Sequence, residues 1–185
     1  LQQLRAAGAD IRVISSALDA IVLAETMKTR EVILMGIGFE TTAPTVASTI
    51  HTAHRKGIAN LSVFSVHKVI PPALRLLIGE TRLALDGFLC PGHVSMVIGA
   101  SAYAMLPEAG LAAAIAGFEP VDILEGLLAL LEQIESGNRE VALRYGRAVK
   151  PEGNRRAMAL MEAVFETGDA EWRGLGRIGG SGLWV

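Results

Sequence analysis

Short apolar runs alternate along this chain with segments whose apolar residues recur every three or four positions. Ile11-Arg12-Val13-Ile14, Glu31 to Met35, Leu61 to Val66, Gly87 to Cys90 and Leu111 to Ala116 are the short runs, and each is of strand length. Between them, helical spacing covers about Ala17 to Lys28, with Ser15 or Ser16 available as a cap, and Ala43 to Arg55, closed by Gly57. Further helices are predicted from Pro71-Pro72 to about Ile78, from Val94 through Tyr103 and beyond, and from Pro120 to Glu135. The Ala-rich run Leu111 to Ala116 suits a helix by composition, and only the rhythm of the chain makes it a strand. Strands alternating with helices at this spacing predict an α/β fold. It is a doubly wound, mostly parallel sheet of about five strands with helices on both faces.

This Rossmann-like unit spans residues 1–137. Residues 138–185 are expected to add a helix over about Arg156 to Phe165 and a Gly-rich tail from Trp172, read as a loop or extended arm. The extension would pack on the same domain or on parts of a longer protein. The chain starts at Leu1 without a Met, in a helical pattern, and reads as a piece of something longer.

Composition narrows the function classes. Of the 185 residues 51% are hydrophobic and 19% charged, so a real core forms and a disordered segment is excluded. The net charge is −2, and the most basic stretch, from Arg139 to Arg156, is diluted by Glu140 and Glu152. Nucleic acid is therefore not an expected partner. No apolar run reaches the ~18 residues of a membrane span, and no signal peptide is visible. A cytoplasmic setting follows as the expectation. The single cysteine, Cys90, excludes an internal disulfide and any iron–sulfur or zinc site built from this chain's thiolates alone.

In a parallel sheet all strands end at one edge, where ligands bind. The residues just past the strands are therefore the candidates: Glu40, Thr41 and Thr42, then Ser65 and His67, then Gly92, His93 and Ser95, then Glu119. Either glutamate can also serve merely as a helix N-terminal carboxylate. Gly36-x-Gly38 could open a dinucleotide fingerprint, but Thr41 stands where the third Gly belongs and no acidic residue ends the next strand. A tight strand-to-helix turn is the better reading. Cys90 and His93 are spaced to share a metal or form a nucleophile pair, but two ligands make an incomplete site and a lone buried Cys behaves as a small hydrophobe. His51 and His54 read as a solvated helix face. Asp169, Glu171, Trp172 and Arg173 form a polar–aromatic cluster that is either a partner surface or a local anchor.

Several strings together are specific. Gly38-Phe39-Glu40-Thr41-Thr42-Ala43-Pro44, Pro91-Gly92-His93-Val94-Ser95, Gly117-Phe118-Glu119-Pro120-Val121-Asp122 and Glu171-Trp172-Arg173-Gly174-Leu175-Gly176 occur in this order. With Val69-Ile70-Pro71-Pro72 and Arg147-Ala148-Val149-Lys150-Pro151, the chain resembles the hydrogenase maturation family HypD along essentially its whole length, as roughly the middle half of such a protein. The resemblance implies a scaffold that works with HypC-like and HypE-like partners to assemble the Fe(CN)2CO unit of [NiFe]-hydrogenase, and that carries a [4Fe-4S] cluster when complete. The family's cysteine motifs are absent from this sequence, so no metal site or cofactor is expected in this piece by itself. It would supply part of a cleft wall, with Glu40, His67, His93 and Glu119 as the proton-handling or hydrogen-bonding groups. Thr41, Thr42, Gly92 and Ser95 would contact a bound group. The alternative is a stand-alone α/β enzyme or nucleotide-binding domain.

Overall fold

A computed structural model describes residues 1–80 and 82–185. After a short helix α1 (Gln2–Ala6), the first half of the chain runs α2 (Asp19–Thr26), β1 (Val32–Gly36), α3 (Ala43–Lys56), β2 (Leu61–Ser65), α4 (Ile70–Gly79). The second half runs β3 (Gly87–Pro91), α5 (Gly92–Ile98), a 3-10 turn (Ala100–Tyr103), α6 (Met105–Glu108), β4 (Ala112–Ala116), α7 (Pro120–Ser136), β5 (Val141–Leu143). The helix α8 (Arg155–Val164) and a hairpin of β6 (Glu166–Trp172) and β7 (Gly176–Trp184) complete it. The α/β class and the parallel pairing agree with the sequence pattern, including the Ala-rich strand β4.

The strands do not form one five-stranded sheet. β1 and β2 pair in parallel, with Leu34 opposite Val63 and Gly36 opposite Ser65. β3, β4 and β5 form a second parallel sheet in that order. The hairpin forms a third, antiparallel sheet that bonds the segment just past β2. Just past β2, the Leu183 amide donates to the His67 carbonyl at 3.2 Å and the Val69 amide to the Ser181 carbonyl at 2.9 Å. β7 thus pairs antiparallel with the continuation of the chain beyond β2. The Gly-rich tail expected to be a loop is this strand. Its glycines admit close approach: a Cβ on Gly182 would stand 3.1 Å from the Ala170 Cβ.

Two further expectations are corrected. Ile11 to Ile14 is not a strand; it makes no ladder bonds, and Val13 is 82% exposed. The helix predicted from Val94 through Tyr103 stops at Gly99, whose φ of +83° leaves the helical region. There the loop over residues 150–154 takes over: the Ala100 and Ser101 amides donate to the Lys150 and Pro151 carbonyls, and Asn154 donates to Val97.

Each sheet has its own core. Beneath β1–β2 lie Ala20, Leu34, Ala43, Val46, Ala47, Met161, Phe165 and Leu183. One face of the other sheet packs Cys90, Tyr103, Leu106, Ile115 and Val149. Its opposite face sets Ala112 and Ala114 against Ala129 and Leu130 of α7. All five residues of β4 are buried. Alanine suits this strand because helices close in on both faces, and that tertiary demand overrides its helix preference.

Candidate functional site

The first candidate loop runs from Gly36 to Ala43. The Thr42 hydroxyl is within 3.3 Å of the Ile37 carbonyl and 3.2 Å of the Phe39 carbonyl and donates back into its own turn. Gly38, at φ +136°, leaves space for that side chain, since a Cβ there would meet Thr42 Oγ1 at 2.2 Å. A Cβ on Gly36 would meet His67 Cε1 at 2.8 Å. Both glycines therefore make room for the protein's own side chains, which favours the plain strand-to-helix turn over a pyrophosphate cradle. Thr41 beside them is half-buried.

Glu40 turns inward and is 2% exposed. Its Oε1 accepts the Ile70 amide at 2.8 Å, while Oε2 is buried with no hydrogen-bond partner. Burial pushes this carboxyl above the usual glutamate range, and the Ile70 bond opposes the rise only in part. The segment after β2 is held alongside by backbone bonds, Val66 to Gly36 at 2.8 Å and Lys68 to Gly38 at 2.9 Å. That lacing sets His67 across Gly36, 1% exposed, with its ring 5.9 Å from that of Phe165.

The protonation of His67 follows from its neighbours. Ser65 has one hydroxyl proton, and its 2.7 Å contact gives that proton to the Leu183 carbonyl. The 3.2 Å contact between Ser65 Oγ and His67 Nδ1 then needs the proton on Nδ1. Nε2 keeps a bare lone pair and has no partner. Burial lowers the imidazole pKa, so the ring is held neutral. Glu40 and His67 are thus a buried acid that resists ionising and a buried base that resists protonation, each with one unused atom.

The hairpin roofs this region. The ring of Trp172 lies 5.9 Å from that of Phe39, its indole N–H donates to Ser181 Oγ at 2.8 Å, and Lys68 Nζ sits 5.6 Å over it. Lys68 also donates to the Glu171 carbonyl. The polar–aromatic cluster at Asp169 to Arg173 is in this respect a local anchor. An open hollow of about 340 Å³ lies between hairpin and strand, lined by His67, Lys68, Glu171, Arg177 and Trp184 among others.

The second pair of candidates sits on the other sheet. His93 is exposed, with its ring 4.9 Å from that of Phe118. Glu119 is also exposed and lies 3.8 Å from Arg147. No hydrogen bond or ion pair joins His93 or Glu119 to Glu40 or His67. Tyr103, fully buried in the core of this second sheet, has its pKa raised by burial first and then by Cys90 and Glu40. Tyr103 contacts Ser95 Oγ at 3.1 Å, and Ser95 contacts the Pro91 carbonyl at 2.8 Å. With one proton per hydroxyl, Tyr103 donates to Ser95 and Ser95 to Pro91. Gly92 lets Tyr145 pack close, its ring 2.6 Å from where a Cβ would stand.

The sequence pattern pointed to Glu119, but the neighbouring Asp122 is the acid that is held. It is buried, and Arg147 grips both its oxygens at 2.6 Å. Those bonds hold the Asp122 carboxyl below its usual range, and Arg147 lies 4.5 Å over the Tyr145 ring. The available signal was the pairing of an acid in the first turn of α7 with the basic stretch after β5. Cys90 faces the core, and burial pushes its thiol up to about 12. It is not paired with the exposed His93. Among the described residues no group of three or more His, Cys, Asp or Glu side chains is placed to hold a metal ion. One inward-facing thiol does not fit a [4Fe-4S] cluster, which takes four thiolates. No helix among them is long and apolar enough to cross a membrane.

Two laced strand ends with an inward acid and base, carried on small parallel sheets, define an α/β protein with a polar strand-end site. The sequence model described as "HypD: Hydrogenase formation hypA family" matches residues 1–185. The chain is 46% identical over 187 residues to the hydrogenase maturation factor HypD of Rhodobacter capsulatus, covering 100% of this chain and 50% of that protein. It is 44% identical over 192 residues to HypD of Azotobacter vinelandii (100% and 51%), and 42% identical over 185 residues to HypD of Escherichia coli K12 (99% and 50%). The chain belongs to the HypD family of hydrogenase maturation proteins, and it spans about half the length of the curated relatives it matches.

Proposed function

We propose that this chain forms one wall of the site at which a HypD-type maturation factor, with HypC-like and HypE-like partners, assembles the Fe(CN)2CO unit of [NiFe]-hydrogenase. Glu40 and His67 are its proton-carrying groups. The observation that carries this reading is the pair of unused buried atoms, Glu40 Oε2 and His67 Nε2, behind laced strand ends. Leaving such atoms unpaired is costly unless they serve a partner. The carboxyl with its raised pKa can give a proton at Oε2, and the neutral imidazole can take one at Nε2. The iron unit is cargo in this reading, and the thiolates that would hold it belong to parts of the protein outside this chain. His93 and Glu119, exposed on the neighbouring sheet, would be open to a partner or cargo.

The test uses the full-length protein in a host that depends on it for hydrogenase activity. Glu40→Gln keeps an acceptor for the Ile70 amide but removes the transferable proton, and His67→Phe keeps a buried ring without the lone pair. Each variant is expected to accumulate normally and to lower maturation at least tenfold. Wild-type maturation with both variants would remove the proton-carrying role.

A further inference from the structure

Tyr145 stands two residues past β5, and its ring reaches across the ends of the other two strands of that sheet. β3 runs into Gly92, and β4 runs into Gly117. A Cβ on Gly92 would stand 2.6 Å from Tyr145 Cδ1, and one on Gly117 would stand 2.7 Å from Tyr145 Cε2. One ring therefore occupies the side-chain space of both glycines. Neither glycine has a positive φ. What these two positions require is room for the ring, not an unusual backbone.

The ring is held from several sides. The Arg144 amide donates to the Ile115 carbonyl at 3.0 Å, which carries the pairing with β4 up to the residue before Tyr145. The Tyr145 carbonyl accepts the Ala148 and Val149 amides at 3.1 and 3.0 Å, and Val149 is anchored in the core. Arg147 covers the ring face, and its own position is set by the two bonds to the buried Asp122. A planar guanidinium in a two-point grip has little freedom left. Asp122 also reaches Gly117, where a Cβ would meet its Oδ2 at 2.1 Å. Directly after the two glycines come His93 and the pair Phe118-Glu119. The His93 and Phe118 rings touch in the open, and an exposed contact of that kind does little to hold two loops in register.

We infer that Tyr145 is a positioning residue of the strand-end site. Wedged between Gly92 and Gly117 and clamped by Arg147 and Asp122, its ring sets the separation of the loops that present His93 and Glu119. The contacts with both glycines are made by ring carbons, so the ring and not the hydroxyl does the spacing. The inference rests on the reading that these loops are open to a partner or cargo during maturation.

The experiment uses full-length protein, with maturation measured in the dependent host and histidine ring protons followed by NMR on the purified chain. The His93 signals are assigned by their loss in His93→Gln, and the neighbouring Phe118 ring makes them sensitive to the spacing of the loops. Tyr145→Leu keeps an apolar side chain without the planar ring, and Tyr145→Phe keeps the ring. Leu106→Val loosens the same core at the other end of β4, where the Leu111 amide meets the Leu106 carbonyl. Tyr145→Leu is expected to displace the His93 signals and to lower maturation roughly ten- to a hundredfold, the scale for a reacting group misplaced by about 1 Å. Tyr145→Phe and Leu106→Val are expected to leave both measurements at the wild-type level. Unmoved His93 signals or wild-type maturation with Tyr145→Leu would overturn the inference. So would a loss in Tyr145→Phe as deep as in Tyr145→Leu, or an equal displacement in Leu106→Val. Should Tyr145→Leu not accumulate, Asp122→Asn weakens the clamp and is expected to give a smaller displacement; none there overturns the inference equally. Failure of the proton-carrying reading shows differently, as normal maturation with Glu40→Gln and His67→Phe while Tyr145→Leu still falls.

Discussion

The Ile70 amide donates to Glu40 Oε1 at 2.8 Å, and among the described residues it is the one hydrogen bond another residue gives this buried carboxyl. A carboxylate with several such donors would titrate low; with one, burial wins and its pKa rises. The folded state then holds the proton more tightly than the unfolded chain does. Stability from this group is present below the unfolded value, near 4.5, and is lost as pH climbs through the raised folded value. The difference in Tm between wild type and Glu40→Gln should therefore move against wild type from about pH 4.5 upward. A flat difference curve between pH 4 and 8 would contradict the assignment.

His67 carries the opposite sign. Its folded pKa is lowered from 6.5 by burial, so its contribution is complete above the unfolded value and is lost as pH falls below it. The carbon-bound ring protons of His67, followed by NMR, should titrate below pH 6.5. Ser65→Ala removes the partner of Nδ1 and the bond to Leu183 together. It should cost about 1–3 kcal/mol.

Cys90 should be inert in the native protein. With its thiol buried and pushed up to about 12, iodoacetamide at pH 8 should leave it unmodified, while urea-unfolded protein takes up one equivalent. Rapid labelling of the folded chain would show that this part of the core opens.

Gly99 and Gly153 stand back to back. A Cβ on Gly99 would lie 2.3 Å from the Pro151 carbonyl oxygen and 2.5 Å from the Gly153 nitrogen, and one on Gly153 would lie 2.3 Å from the Val97 oxygen. Both residues have positive φ. Alanine at either position should cost about 2 kcal/mol or more, lowering Tm by roughly 5 °C. The double substitution should cost less than the sum, because one backbone shift relieves both.

Much of this architecture was legible where the local signal and the tertiary demand agreed. Pro44, Pro71 and Pro120 open α3, α4 and α7 in their first turns, and Gly57 closes α3 in the left-handed conformation. The failures share one cause: a strand is defined by its neighbour. Ile11 to Ile14 has a strand's composition and no ladder partner among the described residues. Gly176 to Trp184 has the wrong composition and a partner on either side, β6 and the run after His67. For the site, residue type and strand-end position pointed to Glu40 and His67. The burial of His67 was hidden, because its cover includes Phe165 and Leu183, about a hundred residues along the chain. Asp122 was hidden for a similar reason: its partner Arg147 lies 25 residues on.

Ser65 and Leu183, joined at 2.7 Å, are 118 residues apart in the chain. This is a long-range contact of the kind that slows folding, since the loop between them must be ordered before the bond rewards it. During synthesis β1, α3 and β2 leave the ribosome long before β7 exists. Until β7 arrives, the proton of the Ser65 hydroxyl, the His67 carbonyl and the Val69 amide lack the partners they have in the finished fold. His67 acquires this part of its cover only in the last step. A chain cut before Gly176 would lack the partners that β7 gives to Ser65, His67 and Val69.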